Sequence, residues 1–359
     1  MTTATIDLHG LFATTLPKIV PKTTFDIVRA HPFMLHLLRS GCFTVEDGGT
    51  EVRCPVVLED SSNTGAVGLH ESFAINKEDT LDSARYPGWA KYRFSWALDQ
   101  TEIDQNSGPQ KVIDLADAKM QQSLHTFLAG ISADLMGDGT LLPSKRLKGV
   151  DTFIEFKTPA TQTYSPGGLS KGTYENWKNQ YQEITRFGQD GIDKMNVAYR
   201  SASSQGLHPD FAMADDDVYG FYEKELTPKQ ALFDKQLADF GYSNMMFKEM
   251  PICYDRDNLN GTGKIYMLTC TGKSVTGGIN PAMFTLPGLN KAPKNQGKGF
   301  GFQIHFLKQK AGGMIRIDAP QKPVNQDVMV VNGYMNPLLS CSSIKRQAAL
   351  DFGANTIQY

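Results

Sequence analysis

An alternating strand that leads into a long helix constrains this chain more than any other sequence feature. Residues 91–98 alternate, with one face formed by Tyr92, Phe94, Trp96 and Leu98 and the other by Lys91, Arg93 and Ser95. After the break at 107–109, apolar residues recur every three or four positions: Ile113, Ala116, Met120, Leu124, Phe127, Ile131 and Leu135. This change of period predicts a strand followed by a helix over 111–136. Such a helix is about 40 Å long, which is two to three times the usual length. It suits a protein that spans and tiles a surface better than one that closes around a pocket.

Bulk composition indicates a folded protein without a strong overall electrostatic field. The chain has 359 residues, of which 40% are apolar and 21% charged, and its net charge is −2. No large basic excess therefore favours nucleic acid or an anionic membrane. The five cysteines are odd in number and lack C-x-x-C spacing, so neither a disulfide framework nor a zinc site is expected. With no signal peptide and no apolar run of membrane length, we expect synthesis in a reducing cytosol.

The first hundred residues predict an extended excursion. Residues 1–21 are interpreted as an arm, and a helix is predicted over 24–40, kinked or divided at Pro32 and ended by Gly41. A strand over 50–58 leads to a polar tip at 59–68, 69–85 are irregular, and 91–98 are interpreted as the return strand. A two-stranded excursion of this kind is marginal alone, so we expect it to lean on a neighbouring subunit.

The remaining sequence predicts short helices and strands separated by loops. A helix is predicted from Thr173, carrying Tyr174, Trp177, Tyr181 and Ile184 on one face. Another is predicted over 190–203, and residues 210–226 read as a strand, an acidic turn and a short helix. Further strands are predicted at 240–257, 265–270, 301–307, 314–317 and 328–331, with the chain continuing to 350.

Motifs of catalysis and ligand binding are poorly matched. The segment 270–274, CTGKS, resembles part of a phosphate loop, but the Gly required five residues before its Gly-Lys pair is replaced by Met267. The adjacent Asp215, Asp216 and Asp217 lack the further ligands of a calcium loop and read as a solvated turn. His31 and His36 are five residues apart, which is not the spacing of zinc ligands on a helix. No catalytic, cofactor-binding or metal-ligating residue is predicted, and no cofactor.

Three other candidate groups read as structural. Single histidines such as His125 and His305 are predicted to be partly buried packing residues. The aromatic residues at 174, 177 and 181 are predicted to be core rather than a stacking platform. The basic cluster of Lys145, Arg146 and Lys148 is interpreted as solvated, with contact to nucleic acid as the alternative.

The order of these segments resembles the tailed-phage major capsid proteins of Hong Kong 97 type. The strand YRFSWALDQTEIDQN and the helix KVIDLADAKMQQSLHTFLAGISADLM look like that family's long strand and spine helix. The runs SPGGLSKGTYENWKNQY, PDFAMADDDVYGFYEKEL, FKEMPICYDRD and GKIYMLTC are similar to its axial domain, and VMVVNGYMNPLLSCSSIKRQAAL to its returning tail. The similarity covers nearly the whole chain through many diffuse matches in the right order.

The resemblance implies an α+β, HK97-like fold. Its parts would be an N-terminal arm and helix (1–45), an extended hairpin loop (46–98), a peripheral-domain strand and spine helix (99–136), an axial domain (137–328) and a return to the peripheral domain (329–359). It implies a non-enzymatic shell subunit made in the host cytoplasm and located in the virion. Implied partners are further copies in hexamers and pentamers, a separate scaffolding protein, a portal, decoration proteins and weakly bound duplex DNA, with no membrane. The alternatives are an encapsulin-type nanocompartment shell and an unrecognised soluble enzyme.

Overall fold

The computed structural model describes most of the chain. The described residues are 31–56, 58, 66, 82–105, 109–139, 145–204, 207–226, 238, 243–270, 301–308, 314–323 and 327–359. The predicted arm, the first part of the predicted first helix, most of the hairpin tip and the phosphate-loop-like residues after Cys270 lie outside them. Within the described residues, no helix combines the length and apolar character that crossing a bilayer requires.

The helices and strands form a mixed fold. The α-helices are α1 (Pro32–Arg39), α2 (Gln100–Gln105), α3 (Pro109–Met136), α4 (Ile192–Ala202), α5 (Asp216–Glu225) and α6 (Arg256–Leu259). The strands are β1 (Phe43–Glu46), β2 (Glu51–Val56), β3 (Asp82–Pro87), β4 (Tyr92–Asp99), β5 (Gln180–Glu183), β6 (Phe211–Ala214), β7 (Asn244–Phe247), β8 (Met250–Tyr254), β9 (Ile265–Leu268), β10 (Phe302–Leu307), β11 (Ile315–Ile317), β12 (Val328–Met335), β13 (Pro337–Cys341) and β14 (Ala348–Asp351).

The described strands form four sheets. Two have three strands, in the orders β1-β10-β13 and β11-β12-β4. A six-stranded sheet has the order β5-β14-β9-β6-β8-β7, and β2 pairs only with β3. Strands β12, β13 and β14 follow one another closely in the chain and enter three different sheets. The last part of the described chain therefore ties these sheets together.

The long strand and long helix are confirmed as one unit. In β4, Phe94, Trp96 and Leu98 are buried and the residues between them are exposed. Helix α3 runs for 28 residues without interruption. Its buried side chains follow the predicted face: Ala116, Met120, Leu124, Phe127, Ile131 and Leu135. One prediction is wrong, because His125 lies on the opposite face and is exposed.

The predicted pairing of the hairpin is also wrong. The strand that returns beside β2 is β3, in antiparallel register from Glu51 opposite Pro87 to Val56 opposite Asp82. Strand β4 pairs instead with β12 along the whole length of both strands. The irregular segment predicted over 69–85 includes most of β3, which offers only Ala84 and Tyr86 as inward apolar residues. The excursion is therefore shorter than predicted and closes before the long strand begins.

The segment after Thr173 is not the predicted helix. A 3-10 turn spans Glu175–Trp177, and the chain then extends into β5 beside β14. Trp177 is buried as expected, with its Nε1 donating to the Pro166 carbonyl at 3.0 Å. The regular spacing of aromatic residues thus arose from a turn followed by a strand. The predicted helix over 190–203 and the strand-turn-helix at 210–226 are confirmed as α4, β6 and α5.

Helix α1 shows how a proline can begin a helix. Pro32 stands in its first turn, where the missing N–H costs nothing. His31 caps the helix by accepting the Phe33 N–H on its Nδ1 at 3.2 Å. Gly41 follows the helix with a φ of +72°, a conformation that glycine adopts readily.

Candidate assembly surfaces

The base of the β2–β3 hairpin is anchored in its own chain. The inward residues Cys54, Val56, Ala84 and Tyr86 are buried. The residues between them, such as Arg53 and Arg85, are exposed. This one-sided pattern is typical of a two-stranded ribbon lying on a core. Residues 57–81 join the two strands.

Specific contacts fix the position of the hairpin base on the body. The Tyr86 hydroxyl donates to the Cys341 carbonyl at 2.5 Å, and burial raises the pKa of Tyr86 so that it remains a donor. The Asn176 amide donates to the Leu58 carbonyl at 2.8 Å. Gly167 lies against the strand so closely that a Cβ there would be 2.7 Å from the Ala84 Cβ. The hairpin therefore rests on a loop platform formed by residues 155–180.

A second surface lies between β4 and α3. Since β4 ends its sheet, its free edge faces the helix. Ser123 Oγ donates to the Ser95 carbonyl at 2.9 Å, and Lys119 Nζ to the Ala97 carbonyl at 3.2 Å. The groove beside these contacts measures about 750 Å³. Its lining combines aromatic and uncharged polar residues with five basic side chains: Lys91, Arg93, Lys119, Lys145 and Arg146.

Part of the positive charge in this groove is neutralised. Arg146 pairs with buried Asp134 at 3.1 Å, and Lys119 pairs with Glu102. Tyr92 donates to the same Asp134 at 2.6 Å, and burial with this hydrogen bond raises the pKa of its hydroxyl. Sequence reasoning found Lys145 and Arg146 but missed the contributions of β4 and α3. Lys148 lines a separate cleft beside the hairpin base.

One cluster, of two buried side chains and one half-buried side chain, has the composition of a partial metal site. His36, Asp210 and Cys270 offer ligand atoms within 4.8 Å of one another, with His36 Nε2 at 3.6 Å from Asp210 Oδ1. His36 also stacks on Phe211, with ring centroids 4.5 Å apart. Burial raises the pKa of the Cys270 thiol well above its usual value, which disfavours the thiolate that binds metals. The contacts are those of a hydrogen-bonded junction between α1 and the six-stranded sheet.

The other polar candidates have structural surroundings. Asp215 was predicted to be solvated, but it is fully buried and accepts the N–H groups of Gly261 and Gly263 at 3.2 and 2.6 Å. His31 pairs with Asp255 at 2.9 Å. His305, which was predicted to be partly buried, is only 4% exposed, with Nε2 at 2.8 Å from Ser340 Oγ. All five cysteines are free thiols and buried.

Comparison with known proteins gives one consistent result. No family model matches the sequence, and no curated protein matches it. Among solved structures, the capsid of cyanophage A-1(L) is 16% identical, covers 90% of this chain and 92% of its own, and has a TM-score of 0.56. The SrpI encapsulin of Synechococcus elongatus PCC 7942 is 12% identical, with coverages of 91% and 90% and a TM-score of 0.53. The capsid of a native GTA particle is 11% identical, with 89% of each chain covered and a TM-score of 0.53.

The chain has the Hong Kong 97-type capsid fold.

Within the Hong Kong 97-type fold, the resemblance seen in the sequence is confirmed over about nine tenths of the chain. Helix α3 and strand β4 are the elements that the sequence had matched to the spine helix and long strand. The boundaries proposed for arm, hairpin loop, peripheral domain and axial domain stay predictions.

Proposed function

We propose that this chain is the major capsid protein of a tailed double-stranded DNA bacteriophage. It would assemble with copies of itself, as hexamers and pentamers, into an icosahedral head that encloses the genome. The observation that carries the proposal is the likeness to capsid subunits over nearly the full length of both chains. The chemistry agrees, because polar side chains such as Asp215 and His305 are occupied by internal hydrogen bonds. We propose a structural, non-enzymatic role.

The hairpin supports the proposal from a physical direction. Its base is held by the subunit, whereas a two-stranded ribbon gains little stability from its own contacts. A neighbouring subunit is the natural support for the rest of the excursion, whose tip lies outside the described residues. Large permanent interfaces bury far more surface than transient contacts do. A separate scaffolding protein, a portal and decoration proteins are the further partners we propose.

The basic groove suits weak contact with packaged DNA. Lys91, Arg93 and Lys145 are exposed, while the remaining basic residues of the groove are paired with carboxylates. We propose binding without sequence preference, with dissociation constants of roughly 10⁻⁴ to 10⁻⁶ M or weaker at physiological salt. A gel-shift titration that gave tight, sequence-selective binding would contradict this part of the proposal.

Electron microscopy of purified, assembled material tests the main proposal. We expect closed icosahedral shells, or capsomers that close when a scaffolding partner is supplied. Size-exclusion chromatography with light scattering gives the opposing outcome: a compact monomer under all assembly conditions would overturn the proposal.

An encapsulin-type shell is the second candidate, because the SrpI encapsulin has a similar fold. The content of the particles separates the two. Nuclease-protected duplex DNA of uniform length supports the phage head, whereas a co-purifying cargo enzyme supports the nanocompartment. The host cytoplasm as the place of synthesis and the virion as the final location belong to the first candidate.

A further inference from the structure

Three side chains of metal-binding type meet where α1 packs on the six-stranded sheet. The ligand atoms of His36, Asp210 and Cys270 lie within 4.8 Å of one another, and no other such group occurs among the described residues. The histidine is 7% exposed and the cysteine 0%, whereas the aspartate side chain keeps 26%. We call these three residues the junction cluster. It is closed by the protein on most sides and reaches solvent through its carboxylate.

The backbone holds the junction cluster in place. Asp210 directly precedes β6 and Cys270 follows β9, and these two strands pair with Phe211 opposite Leu268. The Asp210 carboxylate also accepts the Cys270 backbone N–H at 2.9 Å. His36 comes from α1, and its ring stacks on Phe211 with centroids 4.5 Å apart. Three segments that are far apart in the sequence therefore bring the ligands together, which is why no local spacing reveals them.

The distances are close to those of a tetrahedral zinc site. Zinc bonds of 2.0–2.3 Å place neighbouring ligand atoms about 3.3–3.8 Å apart. His36 Nε2 lies 3.6 Å from Asp210 Oδ1, which is inside that range. The Cys270 sulfur is within 4.8 Å of both, so a shift of at most about 1 Å completes the set. Three protein ligands leave the fourth position to water, on the exposed side of the carboxylate.

The ligand types select zinc over the common hard cations. Magnesium and calcium require six or more oxygen ligands, whereas a thiolate and an imidazole favour a borderline transition metal. One carboxylate and one thiolate also balance the two positive charges of the ion. Because the complex then carries no net charge, the cost of burying it is reduced.

The imidazole of the junction cluster is not saturated by protein contacts. Among the described residues, His36 Nδ1 is buried and makes no hydrogen bond. Nε2 has long contacts, at 3.3 Å from Ser40 Oγ and 3.6 Å from the Asp210 carboxylate. A buried ring nitrogen without a partner costs free energy and is one of the marks of a site that takes a water or an ion.

We propose that the junction cluster binds one zinc ion in each subunit, through His36 Nε2, a carboxylate oxygen of Asp210 and the sulfur of Cys270. The ion would replace the hydrogen bonds among these groups and tie α1 to the ends of β6 and β9. Since the unfolded chain does not hold the three ligands together, zinc would stabilise the folded subunit. The proposal rests on one subunit and stands independently of the proposed function.

The thiol must lose its proton when the metal binds. Burial raises the pKa of the Cys270 thiol, which opposes this step in the protein alone. A bound divalent cation reverses the balance, because a thiol that coordinates a metal is deprotonated outright. The S–H bond breaks, the electron pair of the sulfur forms the zinc bond, and the proton leaves to water. No oxidant or reductant is required.

Metal titration of the full-length chain tests the proposal. After dialysis against a chelator, we expect calorimetry to show one Zn²⁺ bound per subunit, with a rise in Tm that Mg²⁺ does not produce. Co²⁺ is the spectroscopic probe, and a thiolate-to-cobalt charge-transfer band in the near ultraviolet would identify the cysteine as a ligand. Absence of stoichiometric zinc, or cobalt bound without that band as an adventitious ion only, would overturn the proposal.

Variants of similar shape assign the ligands. Cys270→Ser should weaken zinc binding by more than about 100-fold, because even the partners that orient a metal ligand contribute 10–100-fold. Asp210→Asn should also weaken it. Cys253→Ser is the matched control, since Cys253 is buried in β8 of the same sheet but lies outside the junction cluster.

The control should keep the affinity and the cobalt band of the unmodified chain. Unchanged affinity in Cys270→Ser, or a loss in Cys253→Ser as large as in Cys270→Ser, would contradict the assignment. The cobalt spectrum of the unmodified chain decides the role of the cysteine even where Cys270→Ser fails to fold.

Discussion

The central strands of the six-stranded sheet are buried on both faces, whereas the β2–β3 hairpin is buried on one face only. All four residues of β6 and of β9 are buried. Alternate residues belong to different cores: Phe211 and Met213 pack in one cluster, and Ala212 and Ala214 in another. The hairpin buries one face and exposes the other. A sheet covered on both faces is complete within one subunit, whereas the hairpin depends on what lies beneath and around it.

The largest effect should come from removing the excursion while leaving its base. We expect replacement of residues 59–81 by a short Gly-Ser turn to abolish shell formation and leave the subunit folded, because β2, β3 and the six-stranded sheet remain intact. Electron microscopy and thermal melting of the subunit measure the two parts separately. Normal shells from this variant would show that the excursion is only a surface loop.

Truncation of a core aromatic residue should destabilise the subunit without altering any specific assembly contact. Phe211→Ala removes a fully buried ring that stacks on Phe33, and we expect a loss of about 3–5 kcal/mol in the free energy of unfolding. Phe127→Ala on the buried face of α3 should cost a similar amount. Chemical denaturation measures both.

Tyr254→Ala is the control for these variants, since Tyr254 lies in the same sheet as Phe211 but is 37% exposed. Its loss should be well under that of Phe211→Ala, because surface truncations create no cavity. Equal losses would mean that burial on both faces does not set the stability of the sheet.

Two adjacent glycines test the contact between the hairpin and its platform. Gly167 and Gly168 have φ values of +66° and +79°, so alanine is strained at either position. A Cβ at Gly167 also meets Ala84 at 2.7 Å, whereas nothing lies within 4 Å of one at Gly168. We expect Gly167→Ala to lower the free energy of unfolding by about 1–3 kcal/mol more than Gly168→Ala does, as measured by chemical denaturation. Equal losses in the free energy of unfolding would show that the platform shifts to accommodate the added methyl group at position 167.

The smallest effect should be a pH dependence of the free energy of unfolding that arises from His305 in the β1-β10-β13 sheet. His305 contacts Ser340, which also contacts Cys54 of β2. Burial lowers the pKa of His305 below its ordinary 6.5, with Glu46 opposing the shift. The unfolded chain therefore binds the proton more readily, and stability declines as the pH falls below about 6.5 toward the lowered pKa of the folded state.

Urea denaturation at about pH 7.5 and about pH 5.5 measures this effect, which is worth at most about 1.4 kcal/mol for each unit of pKa shift. His305→Gln should reduce the loss of stability on acidification. If the variant loses as much stability as the unmodified protein, another group controls the response.

The sequence predicted the elements whose pattern is long and regular. Strand β4 and helix α3 were found because each repeats its period many times. Strand β3 was missed because Ala84 and Tyr86 are too few to define an alternation, and β5 was read as helix because Trp177 and Tyr181 happened to have helical spacing. The pairing of β4 with β12 joins segments that are far apart in the chain, for which local periodicity gives no signal.

The candidate surfaces were less accessible to sequence reasoning. The basic groove combines side chains from β4, α3 and the loop at 145–146, of which only the last forms a visible cluster. Glu155, Lys171 and Asn179 are buried in contact with one another, at sequence spacings that match no motif. The sequence predicts an exposed Asp215 because three adjacent carboxylates are usually solvated. The N–H groups that hydrogen-bond to the buried carboxylate belong to residues 261 and 263, which lie far away in the sequence.

The placement of β12, β13 and β14 has a consequence for synthesis of the protein. Each enters a different sheet, and β14 lies between β5 and β9 inside the six-stranded one. During translation, which proceeds at about 5–20 residues per second, none of these sheets can be completed until its strand from 328–351 has left the ribosome. Prematurely terminated chains would lack an interior strand in two sheets and an edge strand in a third. A chain that stops before residue 328 therefore cannot complete any of these three sheets.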